Sequence, residues 1–253
     1  MAGFEAPQYG NAPVSEVFIG VGYMRPRILV DAVLKKALLS ENYPNLEIAP
    51  PLNVELLDGY SLLQVMVPDG GQFLVRRWNV DRKWLVQIQA NALYVNWSRP
   101  DEEPPSGYVG FDAVRGRFFG ALSALEGSCG SELQDGVSFM ELSYTDRFPW
   151  QPEIANLGHL DRIMNIGLPP KFSDEGYNNC FAHFPFHDAE IGGFGTISVN
   201  TATGGKGEQL LAVETKLHGR PEDGMAEWLE RAREKQHRIF KGLFKTEMRE
   251  KWL

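Results

Sequence analysis

The C-terminal segment, residues 222–253, most limits how this chain can fold, because its pattern is that of one long amphipathic helix. Apolar residues recur on one stripe at spacings of three and four: Met225, Trp228, Leu229, Ala232, Ile239, Phe240 and Leu243. Charged residues cover the other side: Glu227, Glu230, Arg231, Arg233, Glu234, Arg238 and Lys241. A helix of this kind must lie across an apolar surface, which the strand-rich chain before it can supply.

The remaining chain has the pattern of several strands grouped between a few helices. Alternating or short apolar runs predict strands at residues 14–23, 62–67, 73–78, 84–89, 93–97, 137–148, 181–187, 191–200 and 209–217. Two further helices are predicted, one beginning at Pro26 and one over residues 108–125. This order favours an α+β fold with curved antiparallel sheet, helices packed on one face and the long C-terminal amphipathic helix.

The length and composition are those of an ordinary globular protein. A chain of 253 residues, 43% hydrophobic and 23% charged, can bury a sizeable core. We predict a single domain, residues 1–253, built of two closely packed halves, 14–148 and 149–253. Residues 1–13 have no signal-peptide pattern, and no apolar run approaches the roughly 20 residues that span a bilayer. A cytoplasmic protein with no membrane partner is expected.

Charge and cysteine content restrict the function further. The net charge of −8, from 33 acidic and 25 basic residues, argues against nucleic acid as the main partner. The two cysteines, Cys129 and Cys180, exclude a disulfide framework. Two reduced thiols are expected, and a single bridge stays open.

Four segments resemble motifs of one protein family. Residues 11–17 (Asn-Ala-Pro-Val-Ser-Glu-Val) resemble its Asn-Pro-Pro-x-x-Glu opening, and residues 86–88 with 93–96 resemble its Val-Gln-Val…Leu-x-Val-Asn hairpin. Residues 142–147 (Leu-Ser-Tyr-Thr-Asp-Arg) resemble its Leu-Arg-Tyr-Ile-Asn-Arg strand, and residues 244–250 resemble its Phe…Leu-Arg-Glu C-terminal helix.

The family is a sporadically distributed, functionally uncharacterised bacterial and archaeal one of about this length. The resemblance implies the fold layout and a prokaryotic protein, and it implies no activity. Ser143 stands where the family usually has Arg, and Asp146 where it usually has Asn. If these positions form a recognition site, the resemblance implies a partner different from that of the relatives.

The sharpest metal candidate is the segment that holds His183, His187, Asp188 and Glu190. The two histidines share a strand face, but four residues at a rise of ~3.3 Å separate them by about 13 Å. That is too far for a shared ion unless Pro185 bends the strand. The sequence therefore predicts no metal and no cofactor, and the histidines are interpreted as surface or edge-strand residues.

Catalytic motifs are weak. Residues 204–207 lack the Gly and Ser/Thr positions of a phosphate-binding loop and are predicted to form a hairpin turn. Cys180 and His183 are strand neighbours, which rarely form a nucleophile–base pair. Glu16 and Asp146 form a carboxylate pair only if their strands are neighbours on a shared face. No catalytic residue is predicted, and whether the protein is an enzyme is left open, with a preference for a non-enzyme.

Six residues are candidates for binding a ligand or partner: Trp97, Arg99, Tyr144, Asp146, Arg147 and Gln236. The two arginines end strands, where they either bind an anionic group through two hydrogen bonds or pair with Glu102, Glu103 or Asp146. The amide of Gln236 interrupts the apolar stripe and needs a hydrogen-bond partner, either a strand edge or a ligand.

Three small or terminal features also suggest contacts. Gly20 and Gly22 share a strand face with Glu16, and leave backbone open to close approach unless a helix packs there. Gly116 and Gly120 form a small-residue surface for the other half of the chain or a second subunit. Trp252 lies off the apolar stripe, so either the helix bends after Gly242 or the tail makes an aromatic contact of its own.

From these features we expect a non-enzymatic binding or regulatory protein of unknown ligand, as an accessory of a mobile or defence-type system. The partner is expected to be a protein or a small ligand, and a homodimer is possible. The alternative is an enzyme or small-ligand carrier with a pocket between the sheet and the C-terminal helix, where Gln236, Tyr144 and Arg147 would converge.

Overall fold

The protein is mainly one large, open antiparallel sheet with a few helices. A computed structural model describes residues 12–23, 41–49, 74–89, 92–100, 103–129, 136–149, 157–165, 181–203, 207 and 209–252. The strands are β1 (Val14–Tyr23), β2 (Asn45–Ala49), β3 (Leu74–Trp78), β4 (Trp84–Gln89), β5 (Ala92–Ser98), β6 (Val137–Pro149), β7 (Phe181–Asp188), β8 (Gly193–Thr203) and β9 (Gln209–Gly219). They lie in the order β2-β3-β4-β5-β1-β6-β9-β8-β7.

Helices complete the described part of the fold. The α-helices are α1 (Phe111–Cys129), α2 (Met225–Leu243) and α3 (Thr246–Glu250), and the 3₁₀ helices are Pro105–Gly107 and Leu157–Arg162. None of the helices in the described part of the chain is both long and apolar enough to cross a membrane.

Alternation along each strand divides the sheet into two faces. In β1, Val17, Ile19 and Val21 are fully buried and lie opposite Trp97, Val95 and Leu93 of β5. These residues form one core with side chains from both long helices: Val114, Phe118, Leu122, Leu125, Trp228, Leu229 and Ala232. We call this side of the sheet the helix face and the opposite side the polar face.

A second, smaller core lies at the other end of α2. The buried Leu243 and Phe244 meet Phe148 of β6 and Leu211 of β9 there. Within this core the ring centroids of Phe148 and Trp252 are 5.3 Å apart. The C-terminal end of the chain therefore closes over the helix face.

The predicted single helix over residues 222–253 is only partly supported. The helix ends at Leu243, Phe244 is extended at φ −103° and ψ 142°, and a separate short helix follows. The break turns Trp252 back onto the second core, where it is buried. The helix therefore ends directly after Gly242, as the first of the two alternatives has it, and Trp252 makes its aromatic contacts inside the fold.

Most predicted strands correspond to observed ones within a few residues. Residues 45–49, for which no strand is predicted, pair with β3 as strand β2. The predicted helix that begins at Pro26, the predicted strand at residues 62–67 and Cys180 lie outside the described residues.

The glycines of β1 are covered by aromatic rings, whereas those of α1 have no described atom close to them. A methyl group placed on Gly20 would lie 2.5 Å from Tyr94 Cδ1, and one on Gly22 would lie 2.0 Å from Phe139 Cε1. Neighbouring aromatic rings therefore fill the space over this backbone. At Gly116 and Gly120 no contact lies within 4 Å of such a methyl group, so among the described residues nothing packs on the small-residue surface of α1.

Candidate functional site

A line of polar side chains crosses the polar face of the sheet. It takes one residue from each of the nine strands, and we call it the polar row: Glu47, Arg76, Gln87, Asn96, Glu16, Ser143, Glu214, Ser198 and His183. Strand register sets four neighbouring pairs directly opposite each other, at the two ends of the row, as with Arg76 and Gln87 or Ser198 and Glu214. The four pairs between Gln87 and Glu214 are diagonal neighbours on the same face, each offset by two residues. The row therefore forms only when the sheet is assembled, because each of its residues comes from a different strand.

Hydrogen bonds join the first five members of the polar row. Arg76 donates from Nη1 to Glu47 Oε1 at 3.3 Å and from Nε to Gln87 Oε1 at 3.0 Å. Gln87 Nε2 donates to Asn96 Oδ1 at 3.2 Å, and Asn96 Nδ2 donates to Glu16 Oε1 at 3.3 Å. Gln87 and Asn96 each accept one hydrogen bond with the amide oxygen and donate the next with the amide nitrogen. These side chains therefore fix one another's orientation.

The other end of the polar row contains further polar contacts. Ser143 Oγ donates to Glu214 Oε1 at 3.2 Å, and a bond of 2.9 Å joins His183 Nδ1 to Ser198 Oγ. Next to the row, Lys216 Nζ lies 3.8 Å from Glu214 Oε1. Ser143 and Ser198 are buried, so this end is partly withdrawn from solvent.

The electrostatics of Glu16 show that the centre of the row is desolvated. Burial raises the pKa of Glu16 above its ordinary value of 4.5, and the charge of Glu214 adds to the rise. The hydrogen bond from Asn96 and the charges of Arg147 and Lys216 oppose it. Glu16, the last of the five hydrogen-bonded members, therefore interacts electrostatically with Glu214 in the remaining part of the row.

Aromatic rings lie beside the polar row on the same face. Phe18 and Tyr94 meet edge to face with centroids 6.0 Å apart, and Lys216 Nζ lies 5.7 Å from the Phe18 ring. Trp78 donates from Nε1 to Glu47 Oε2 at 3.3 Å. Aromatic rings and arginine are enriched at the centre of protein–protein interfaces.

Of the six residues suggested by the sequence, Trp97, Tyr144, Asp146 and Arg99 come together on the helix face. The Tyr108 ring links two of them: its centroid is 5.3 Å from Trp97, and its hydroxyl is 3.3 Å from the Tyr144 hydroxyl. Burial raises the pKa of Tyr144 to about 12, so both hydroxyls remain protonated at neutral pH. We call Tyr108, Tyr144, Asp146 and Arg99 the interior cluster.

Asp146 is the most perturbed member of the interior cluster. It is 3% exposed, and within the described residues its Oδ1 has no hydrogen-bond partner. Burial raises its pKa to about 7, and the nearby Arg99 guanidinium opposes the rise. The carboxyl group therefore changes its charge close to physiological pH.

The other two suggested residues lie apart from each other. Gln236 is buried about midway along α2, on the helix face, between Trp228, which bonds the Ile191 carbonyl, and Leu243 in the second core. Its Oε1 has no partner among the described residues, so the expected bond from that oxygen to a strand edge is absent. Arg147 lies on the polar face, where its charge lowers the pKa of Glu16, so Arg147 and Gln236 do not converge.

The two acidic candidates of the sequence are separated by the sheet. Strands β1 and β6 are neighbours, but Glu16 lies opposite Thr145, and Asp146 is the next residue of β6, whose side chain points to the other face. Asp146 therefore lies on the helix face and Glu16 on the polar face. They cannot act as a paired acid and base.

The histidine-rich segment has other partners than a metal ion. Lys235 forms an ion pair with Asp188, and Arg238 with Glu190. His183 bonds Ser198, as described above. Among the described residues no group of three or more His, Cys, Asp and Glu side chains is arranged to hold a metal ion.

Sequence reasoning missed most of the polar row because its members come from nine separate strands. The polar residues at alternate positions of β4 and β5 were a usable signal, since Gln87 and Asn96 interrupt apolar runs. Their adjacency to Glu16 and Arg76 depends on strand register, which a single sequence does not give. In comparisons with known proteins, no protein-family model and no curated protein matches this chain.

Proposed function

We propose that this protein is a non-enzymatic binding protein that recognises a protein partner on the polar face of its sheet. The observation that carries the proposal is the polar row, in which one polar side chain comes from each of nine adjacent strands. Hydrogen bonds join its first five members in one chain and its last four in two pairs. An accessory role in a mobile or defence-type system is part of the proposal and rests on the sequence resemblance alone.

The size of the row supports a macromolecular partner. Nine strands at a spacing of ~4.8 Å extend over about 38 Å, which is far longer than a small substrate. Catalytic groups converge on one reacting atom, whereas the members of this row are spread out in a line. A protein surface of ordinary interface size, about 800 Å² per partner, matches such a length.

The charges of the row support a protein partner over nucleic acid. Glu16, Glu47 and Glu214 lie in it, with Arg76 as its arginine, and the whole chain carries a net charge of −8. Phosphate groups would be repelled by these carboxylates. Alternating donors and acceptors with aromatic neighbours instead match the mixed surface of a protein.

Affinity capture with matched variants tests the proposal. The tagged protein is recovered from its native host, and bound proteins and small molecules are quantified by mass spectrometry. Arg76→Glu reverses a charge in the row, and Arg115→Glu is the control on α1, with similar side-chain exposure (27% and 35%) and its own ion pair to Glu230. We expect a stoichiometric protein partner with wild type and control, and a loss of at least about tenfold with Arg76→Glu.

Two results would refute the proposal. One is recovery of a stoichiometric small molecule with no protein partner. The other is equal recovery of the same partner by Arg76→Glu and wild type, with both proteins equally folded. A second copy of the chain found as the partner would be consistent with the proposal and would identify a homodimer.

A second candidate function is a small-ligand carrier that uses the interior cluster. It is favoured by one buried oxygen atom of that cluster, Asp146 Oδ1, which has no hydrogen-bond partner in the described chain. Native mass spectrometry distinguishes this function, because a carrier would retain a small molecule that Asp146→Asn releases.

A further inference from the structure

Strand β2 forms one edge of the sheet. In the part of the chain that the structure describes, it pairs with β3 on one side and with no strand on the other. Successive residues of an antiparallel strand direct their N–H and C=O groups to opposite sides, so every second residue of β2 offers these groups away from β3. This edge can therefore be extended by a further strand.

Exposed apolar side chains are concentrated at the same edge. Of the five large hydrophobic side chains that are exposed in the described chain, three lie here: Leu46, Ile48 and Val80. Leu46 and Ile48 of β2 are 47% and 57% exposed. Val80 lies in the turn after β3, where the Asn79 carbonyl accepts a hydrogen bond from Asn45 Nδ2 at 3.1 Å. Apolar side chains grouped in this way are typical of a contact surface.

The alternation along β2 defines what can pair with it. Leu46 and Ile48 lie on the helix face, where Ile48 is opposite the buried Val75 of β3. A strand paired with β2 would place its own alternate residues beside them, and apolar residues there would extend the first core by one strand. On the polar face, Glu47 is the first member of the polar row. The edge is thus continuous with the proposed binding face.

The charge of Glu47 disfavours a second copy of this chain as the added strand. Antiparallel pairing of two β2 strands over all five residues would centre on Glu47 and set the two carboxylates directly opposite each other. Like charges at opposed positions destabilise a strand pair. Because Pro44 precedes the strand and Pro50 follows it, a shifted register would only shorten the ladder. A different segment, with an uncharged or basic residue opposite Glu47, avoids this repulsion.

We propose that an extended segment of the protein partner adds to β2 as a further strand, with alternate apolar side chains beside Leu46 and Ile48. The inference rests on the proposed function only in that it requires a protein partner. In this mode of recognition, backbone hydrogen bonds supply affinity and the alternate side chains supply specificity. The partner is therefore a protein with an unpaired extended segment that matches the 5 residues of β2.

Affinity capture with edge variants tests the inference. Leu46→Lys and Ile48→Lys, combined in one protein, place ammonium groups where apolar side chains of the partner would lie, and should reduce recovery of the partner at least about tenfold. Phe184→Lys is the matched control and should leave recovery unchanged. Phe184 is likewise exposed on the helix face, but on β7, at the opposite edge of the sheet.

Amide hydrogen exchange tests the same geometry without any substitution. Wild-type protein is compared free and in the complex that capture recovers. Alternate amides of residues 45–49 should exchange fast in the free protein and at least about tenfold more slowly in the complex, whereas the amides of β7 should not change.

Four results would each overturn the inference. They are full recovery of the partner by the folded double variant, unchanged exchange of residues 45–49 in the complex, slow exchange of all these amides already in the free protein, and a partner that proves to be a second copy of this chain. Slow exchange in the free protein would mean that another part of the chain already covers the edge.

The outcome is separable from that of the proposed function. If Arg76→Glu abolishes partner capture while the double variant retains it, the docking edge is wrong and the polar row stands. If the double variant abolishes capture while Arg76→Glu retains it, the docking edge stands and the polar row is wrong.

Discussion

Asp146 shows how one residue can set the pH response of this fold. Its carboxyl is buried on the helix face, and its pKa is raised from 3.8 to about 7. A group whose pKa is higher in the folded than in the unfolded state stabilises the fold fully below the unfolded pKa. That contribution is lost as the pH rises from 3.8 to about 7. Wild-type stability should therefore decline across this range through Asp146.

Asp146→Asn should remove this decline, because the amide stays neutral at every pH. We expect its advantage in free energy of unfolding over wild type to grow by about 2 to 3 kcal/mol between pH 5 and pH 8, since one pKa unit corresponds to about 1.4 kcal/mol. Urea unfolding at the two pH values measures it. Asp223→Asn, at a side chain 70% exposed, is the control and should show no such growth. A constant difference between Asp146→Asn and wild type would disprove the assignment.

The sequence identified Asp146, Tyr144 and Arg99 as polar residues near strand ends, but it did not identify their environment. Alternation alone gives the side of a strand on which a residue lies. The environment of Asp146 depends in addition on Tyr108 and Arg99, which come from different segments. Three of the four residues of the interior cluster could be anticipated, but the raised pKa values of Tyr144 and Asp146 could not.

At the scale of elements, α2 is attached to the sheet by a polar contact as well as by its apolar stripe. Asp188 accepts backbone hydrogen bonds from Glu190 at 2.9 Å and Ile191 at 3.3 Å in the turn after β7. It also forms an ion pair with Lys235 of α2. Although burial raises the pKa of Asp188, the hydrogen bond and charge of Lys235 lower it below its ordinary value. One carboxylate thus joins the turn to the helix.

Asp188→Ala should lower the free energy of unfolding by about 2 kcal/mol, because a buried carboxylate with two backbone donors and an ammonium partner is removed. Glu190→Ala is the matched control two residues away. Glu190 is exposed and pairs with Arg238 at the surface, so no measurable change is expected. Thermal or urea unfolding compares the two, and equal losses would show that the turn and helix are not joined through Asp188.

The strands were easier to predict than the end of α2, for a physical reason. Strands β1 and β4 were predicted with their observed bounds. The side chains of β1 alternate clearly between two types of position, and glutamines interrupt the apolar run of β4. The stripe of α2 is a local property and was likewise visible. Its end at Leu243 depends on Phe244 and Trp252 packing against Phe148 of β6, a contact between distant segments. Local patterns cannot reveal such a contact.

At the scale of the whole molecule, β6 joins the two parts of the sheet. It pairs with β1 on one side and with β9 on the other. Its helix-face residues also enter both cores, since Tyr144 belongs to the first core and Phe148 to the second. The polar row follows from the same pairing, because only a continuous sheet sets Glu16 next to Glu214. The proposed binding face therefore requires that both parts fold together.

Shared strands and a shared helix should make the two cores unfold as one unit. Trp252→Ala removes a buried ring from the second core and should lower the free energy of unfolding by about 3 kcal/mol. In native-state hydrogen exchange, the slowest amides of β1 and β5 should lose the same amount of protection as those of β9, although no atom of the first core changes. Lys251→Ala, at the exposed neighbouring position, should alter neither. Unchanged protection in β1 and β5 would show that the cores open independently, and a binding face that spans both could not then persist as a rigid surface.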